Sequence, residues 1–230
     1  MKVTIFGDSH LHTLRNSAAE LGDEHEARFL VNHALNWIAP QLVAEKGGIR
    51  ARADNVKNFT PLNVLLLPEG RLYFSGILHT APYTRARDWR SFCPWSIQKD
   101  HPDLQPISDA ALQTWIERET AARLSFLFEL RSKGFDICVI EAPRPLERAP
   151  GMHDIRPAVM ARVDAICRSF ILARLAEIGV RVIEVPPETV SGGFTTAEFS
   201  SGNPKDPHHG NLEYGRLMVQ RIRDDLANVA

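Results

Sequence analysis

Two short stretches, one near each end of the chain, carry residue types that together can transfer an acyl group. The first is Gly7-Asp8-Ser9-His10, which offers a hydroxyl. The second is Asp206-Pro207-His208-His209, which offers an imidazole with a carboxylate three residues before it. A serine hydroxyl is a poor nucleophile until an imidazole takes its proton, and the imidazole needs a carboxylate to fix its tautomer and stabilise its cation. Three-residue spacing lets Asp206 and His209 point into one space from a single turn. Backbone N–H groups at the Ser9 turn can stabilise the oxyanion that such an attack creates.

The elements around these stretches must bring them together. Lys2 to Phe6 is an apolar, partly β-branched run that predicts a buried strand. Gly7 allows the chain to turn sharply, and Asp8 and Ser9 are helix-starting residues. Ligands of open α/β sheets bind at the carboxyl ends of strands, which is where Ser9 would sit. A short helix is expected from Leu11 to Leu21. A stronger one is expected after Asp23-Glu24-His25-Glu26, with Leu30, His33, Ala34, Trp37, Ile38 and Leu42 at helical spacing and Gly47-Gly48 as its stop. Ile49 to Ala53 alternates weakly, as a second strand would. Asp54 to Pro61 is polar and loop-like. Leu62–Leu67 and Leu72–Leu78 flank Pro68-Glu69-Gly70 and suggest two strands about a tight turn.

The second half is more regular. Ser108 is placed to cap a helix whose apolar face holds Leu112, Trp115, Ile116, Leu127 and Leu130, ended by Lys133-Gly134. Phe135 to Ile140 predicts a buried strand that runs into Glu141-Ala142-Pro143-Arg144. Val159, Val163, Ile166, Cys167, Phe170, Ile171, Leu175 and Ile178 mark another helix, ended by Gly179. Val180 to Val185 predicts a strand, and Leu212 to Leu226 a final helix. Strands alternating with helices of crossover length imply a largely parallel sheet covered on both faces. One domain over residues 1–230 is the economical organisation. Thr80 to Pro106 interrupts it with four prolines, Trp89, Trp95, Arg85, Arg87 and Arg90, and predicts a long irregular excursion on the surface.

Composition narrows the function classes. The 230 residues are 44% hydrophobic and 24% charged, an ordinary globular balance, with a formal net charge of −1. No global field favours nucleic acid or an anionic membrane. No apolar run approaches transmembrane length, so no membrane insertion is expected. With a strand predicted from Lys2, there is no room for a secretory signal, and cytoplasmic residence is the expectation. Cys93, Cys138 and Cys167 are widely spaced with no C-x-x-C, as expected for reduced packing residues.

With these motifs in place, the chain resembles the SGNH (GDSL-type) hydrolase family. Gly7-Asp8-Ser9 stands where that family has its nucleophile block, and Asp206-Pro207-His208-His209 where it has its Asp-x-x-His block. Asn211 and Gly215 follow at offsets common after that block. The resemblance implies a three-layer α/β/α sandwich with a mostly parallel, flavodoxin-like sheet. It implies Ser9 as nucleophile, His209 as base and Asp206 as its orienting partner. It implies no cofactor and no metal, and small-molecule or glycan esters, often acetyl or acyl, as substrates. The family's Gly-x-Asn-Asp block is degenerate: its best counterpart is Gly76-Ile77-Leu78-His79, with Leu78 in place of the asparagine. Ser9 and Gly76 remain as backbone oxyanion donors, and Asn58 or Asn63 are donors without motif support. Loss of one such donor costs on the order of 2.7–4 kcal/mol of transition-state stabilisation.

Asp8, His10, His79, Glu141, Arg144 and His208 are the further candidates for lining the cleft. Arg85, Arg87 and Arg90 read as solvated, and Trp89 and Trp95 as core or loop-anchoring residues. Ser9 can also be read as a mere helix cap. The α/β-hydrolase pattern is excluded because Leu11 stands where a Gly-x-Ser-x-Gly elbow needs glycine. Two other readings compete. Asp8-x-His10, with His12 nearby, resembles the first block of calcineurin-like metallophosphoesterases, although their Gly-Asp-x-x-Asp, Gly-Asn-His and Gly-His-x-His blocks are missing. A non-catalytic binding module on the same fold is the other, motivated by the missing asparagine.

Overall fold

The computed structural model describes residues 3–18, 27–31, 42–45, 48–51, 65–66, 71–147, 154–203, 205–206 and 208–228. Strand β1 (Val3–Gly7) leads into helix α1 (Leu11–Ser17) and is followed by β2 (Ala27–Val31). β3 (Leu42–Glu45), β4 (Gly48–Ala51) and β5 (Leu65–Leu66) form a small antiparallel sheet of their own. Then come β6 (Leu72–Ser75), α2 (Ala81–Thr84), β7 (Phe92–Pro94), β8 (Gln105–Ile107) and α3 (Asp109–Ser132). The chain continues with β9 (Ile137–Ile140), α4 (Pro157–Glu177), β10 (Arg181–Ile183), β11 (Val190–Ser191), β12 (Phe194–Thr195) and α5 (Leu212–Ala227).

The central sheet has the order β10-β9-β6-β1-β2, and every neighbouring pair is parallel. Numbered along the chain, its five strands lie in the order 2-1-3-4-5, the flavodoxin-like arrangement. Alternation along the strands divides the core in two. Phe6, Leu72, Phe74, Ile137 and Val139 pack with Leu127 of α3 and Val163 of α4. Ile5, Tyr73, Cys138 and Ile140 pack with Leu11 and Leu14 of α1 and Met218 and Ile222 of α5. Helices therefore cover both faces, as a parallel sheet requires, and the architecture is the expected α/β/α sandwich. None of the helices among the described residues is long and apolar enough to cross a membrane. Cys93, Cys138 and Cys167 are buried free thiols.

Several local expectations change. The helix expected after Asp23 is replaced, where the structure describes it, by β2 and by β3 paired antiparallel with β4. Ala27 to Val31 pairs residue for residue with Val3 to Gly7. The demand of β1 for a parallel partner outweighs the local helical spacing. Ile49 belongs to β4, outside the central sheet. Leu65–Leu66 and Leu72–Ser75 lie in different sheets rather than in one hairpin. Asp54 to Pro61, with Asn58, and also Asn63 lie outside the described residues. The 80–106 excursion is built rather than irregular: β7 and β8 pair in parallel, Trp89 is buried and its Nε1 donates to the Tyr83 carbonyl at 2.6 Å. Trp95 is 66% exposed and anchors nothing in the core.

The regular second half matches its signals closely. Ser108 Oγ accepts from the Ala111 N–H at 3.2 Å and caps α3. Gly134 and Gly179 follow α3 and α4.

Candidate active site

Ser9 stands just past β1, between the strand and α1. The turn is held by backbone bonds from Leu11 N to Asp8 O and from His12 N to Ser9 O, both 3.1 Å. Asp8 Oδ1 accepts from His10 N at 3.1 Å. A Cβ on Gly7 would come within 2.5 Å of Leu11 Cγ and 2.7 Å of Ser75 Cβ, so this turn closes only on glycine. The Ser9 hydroxyl does not cap α1, which has no side-chain cap. It is spent elsewhere.

Its partner comes from the far end of the chain. Asp206 Oδ1 accepts from the backbone N–H of His208 at 3.2 Å and of His209 at 3.1 Å, an Asx-type turn that fixes the loop. Asn211 Oδ1 caps α5 by accepting from Tyr214 N at 3.0 Å, so Asp206 is free of that task. Two α1 hydroxyls fasten the loop beside Ser9: Thr13 Oγ1 donates to Gly210 O at 3.0 Å, and Ser17 Oγ to Leu212 O at 3.1 Å. α1 and α5 approach so closely that Gly215 leaves no room for a Cβ, which would strike Ser17 Oγ and lie 2.9 Å from Thr13 Cγ2.

The result is a continuous polar chain. Ser9 Oγ lies 2.7 Å from His209 Nε2, and His209 Nδ1 lies 2.8 Å from Asp206 Oδ1. A ring with Nδ1–H toward the carboxylate would leave Nε2 able to accept a proton from the serine hydroxyl. Partial burial works to raise the Asp206 pKa, yet the hydrogen bond from His209 and the two backbone N–H groups hold it below the usual carboxylate range. The acid therefore stays ionised opposite a ring that must become charged when it takes the proton.

Asp8, His10, His79 and His208 gather beside this chain. Ser9 and His79 lie beyond the carboxyl ends of β1 and β6, neighbouring strands where the strand order reverses. Gly76, at φ +92°, makes the turn after β6. Asp8 Oδ2 is 3.0 Å from His79 Nδ1, with angles that fall short of a hydrogen bond. Burial alone would raise the Asp8 pKa, but its contacts with His10 and His79 hold it far below the usual range. Burial first, then the neighbouring histidines, push His10 well below the ordinary histidine value, although Asp8 pulls the other way. His208 is pushed down to about 4, by burial first and then by His209, His79 and Arg85. Two sets have metal-ligand proximity: His10, His79 and His208, and Asp206, His208 and His209.

A shallow cleft lies here, lined by His10, His79, His208, Thr80, Arg85 and Arg144 among others. A second one is lined by His10, Ser75, Glu141 and Tyr214 among others. All six expected cleft residues thus fall in or beside the site. Arg87 and Arg90 are exposed as expected. Arg85 is not solvated: it is half-buried, and its Nη1 lies 3.3 Å from His208 Nδ1. Leu78, in the asparagine's position, is fully buried in the apolar core on the α3 and α4 side.

A buried ionic network beneath the cleft escaped the sequence reading. Arg168 binds Glu141 Oε1 at 2.8 Å, Asp164 Oδ2 at 2.9 Å and the Pro143 carbonyl at 2.9 Å. Arg144 reaches Asp164 at 3.2 Å and Glu141 at 3.3 Å, and Thr80 Oγ1 donates to Asp164 Oδ1. Glu141 Oε2 accepts from Val185 N at 2.8 Å. The network ties the loop after β9 to α4 and β10. Its signal was a charged pair, Asp164 and Arg168, spaced i,i+4 on a helix face otherwise marked by apolar residues.

No protein-family model matches the chain, and no curated protein sequence does. Solved structures do match in fold. A carbohydrate acetylesterase of Sinorhizobium meliloti superposes with a TM-score of 0.50 at 13% identity, over 100% of this chain and 99% of its own. An extracellular lipase of Streptomyces rimosus gives 0.52 at 13%, over 97% and 99%. A GDSL-like lipase of Bacteroides thetaiotaomicron gives 0.51 at 10%, over 100% and 89%. The described sheet order and these superpositions together establish that the chain has the fold of the SGNH (GDSL-type) hydrolases.

Proposed function

We propose that the chain is a metal-independent serine ester hydrolase of SGNH type, built as one domain, with Ser9 as nucleophile, His209 as general base and Asp206 as the residue that orients it. The observation that carries the reading is the 2.7 Å contact between Ser9 Oγ and His209 Nε2, groups 200 residues apart, continued by the 2.8 Å contact from His209 Nδ1 to Asp206 Oδ1. Ser9 Oγ attacks the ester carbonyl carbon while its proton passes to His209 Nε2. The tetrahedral oxyanion is met by the backbone N–H groups of Ser9 and Gly76. Collapse breaks the bond to the alcohol oxygen, which leaves with the proton from His209. Water then attacks the acyl-serine by the same route in reverse, releasing the acid and restoring Ser9.

Leu78 faces the apolar core in this reading and supplies no donor, so turnover is modest beside that of an enzyme with the full block. Carbohydrate acetyl or acyl esters are the proposed substrates, because Thr80, Thr84, Arg85 and Arg144 line the cleft beside the histidines and one protein of the same fold is a carbohydrate acetylesterase. The three buried free thiols accord with a reducing, cytoplasmic setting. The test is turnover of a short-chain p-nitrophenyl ester with labelling by a fluorophosphonate. Both should vanish in Ser9→Ala. Retained labelling and turnover in that variant would overturn the reading, and a correctly folded parent inert toward acetylated glycans and simple esters would favour a binding module.

A further inference from the structure

We propose that His10, His79 and His208 form a binding site for a single transition dication of the zinc class, with Asp8 as the outer partner of His79. The site is distinct from the Ser9, His209 and Asp206 chain, and the inference does not depend on the esterase reading.

One nitrogen from each of the three rings lies within 4.8 Å of the others. Bonds of about 2.0–2.1 Å in tetrahedral geometry place nitrogens about 3.4 Å apart, so small ring rotations close the set. His10 and His79 are 5% and 8% exposed, and both nitrogens of each ring lack a hydrogen-bond partner. A buried polar group left unmade costs about 1–3 kcal/mol, and both nitrogens of His10 and Nε2 of His79 are left so here. Neighbouring ring centroids are close: 4.7 Å for His10 and His79, 5.2 Å for His79 and His208, 5.3 Å for His10 and His208. Apolar packing does not account for these unpartnered nitrogens, whereas coordination would engage one nitrogen of each ring, with His79 Nδ1 left facing Asp8. Asp8 completes the pattern: a carboxylate against Nδ1 of a ligating histidine orients the ring and raises the basicity of Nε2. Three imidazoles with an open position toward the cleft suit zinc, or cobalt as its spectroscopic stand-in, over calcium or magnesium.

Arg85 opposes the site. Its guanidinium, 3.3 Å from His208 Nδ1, must swing into the cleft when a dication arrives. Removing that charge should therefore tighten binding, an effect that general damage to the fold does not produce.

The experiment titrates the full chain with Zn²⁺ against a chromophoric chelator and records the visible spectrum with Co²⁺. One equivalent should bind, with the intense bands of a four-coordinate cobalt ion. His79→Gln and His208→Gln should each weaken binding by about tenfold or more, and Asp8→Asn by about 10–100-fold. Arg85→Gln should strengthen it several-fold. Asp206→Asn should leave it within about threefold. Circular dichroism on each variant separates unfolding from loss of a ligand. Parent affinity weaker than about 100 µM overturns the site. So does a loss in Asp206→Asn that matches the loss in His79→Gln, which would place the ion on Asp206, His208 and His209 instead.

Discussion

Two carboxylate–imidazole pairs lie side by side at the candidate site, and they are built differently. Asp206 and His209 are both partly exposed, and their chain of contacts ends on the Ser9 hydroxyl. Asp8 and His79 are both buried, and theirs ends on nitrogens with no hydrogen-bond partner. In the first pair, two backbone N–H groups also grip the acid and leave the ring's outer nitrogen for proton transfer. In the second, the acid is shared between the His10 backbone and the His79 ring. In the proposed readings, the same two residue types thus serve a proton relay where the pair is partly exposed, and a ligand-holding role where it is buried. Exposure and what lies beyond the imidazole decide between the two, not the pairing itself.

The largest effect should come from breaking the first pair. Asp206→Asn removes the group that fixes the His209 tautomer, and kcat on a p-nitrophenyl ester should fall on the order of 10³–10⁴-fold with the circular dichroism spectrum unchanged. Asp8→Asn tests the contrast from the other side: its loss in kcat should be at least about tenfold smaller than that of Asp206→Asn, with the main loss in zinc affinity. Equal losses of turnover in the two variants would erase the distinction.

The next effect concerns the residue between the pairs. Leu78→Asn restores the family's residue type but places an amide in a fully buried apolar setting. It should cost at least about 2 kcal/mol of stability in urea unfolding and return no activity; a rise in kcat would show that the side chain can reach the oxyanion. Smaller still is Gly76→Ala. At φ +92° an alanine is strained, and its Cβ would sit 3.1 Å from Asp8 Oδ2, so about 1 kcal/mol should be lost. Because the new methyl presses on Asp8, zinc affinity should fall in parallel; an unchanged affinity would uncouple Asp8 from the metal set.

The last effect is a pH dependence, measured with chelator present. His208 has a folded value of about 4, lowered by burial and then by its charged neighbours, against an unfolded value of about 6.5. Between these the unfolded chain binds more protons, so stability is full above the higher value and is lost as pH falls through the window. The Tm of the parent should decline from about pH 6.5 to 4, and His208→Gln should flatten part of that decline. Asp206 behaves differently: its depressed value keeps its contribution intact until pH falls below the usual carboxylate range. An identical Tm profile in His208→Gln would show that the buried imidazoles are not what acid attacks.

What was legible from the residues alone had local causes. Ser108 announced α3, the apolar spacing from Val159 to Leu175 announced α4, and Asn211 stood before α5, because capping and helical periodicity act within a few residues. Ser9, Asp206 and His209 were legible as types whose chemistry has few other uses in that spacing. The rest was decided at a distance. β2 forms where the spacing suggested a helix because β1 needs a parallel neighbour. Asp164 and Arg168 look like surface charges on their helix until Glu141 and Arg144 meet them from another strand's end.

The amino-acid sequence by itself determined most of the strand–helix alternation and which residue types could form the proposed proton relay, since both follow from side-chain type and short-range periodicity. Only the tertiary structure decided that positions 9 and 209 touch, and that histidines at 10, 79 and 208 share one buried corner. Parallel strands are joined by long crossovers, so which loops meet at the sheet's rim depends on strand order, a property no local stretch contains.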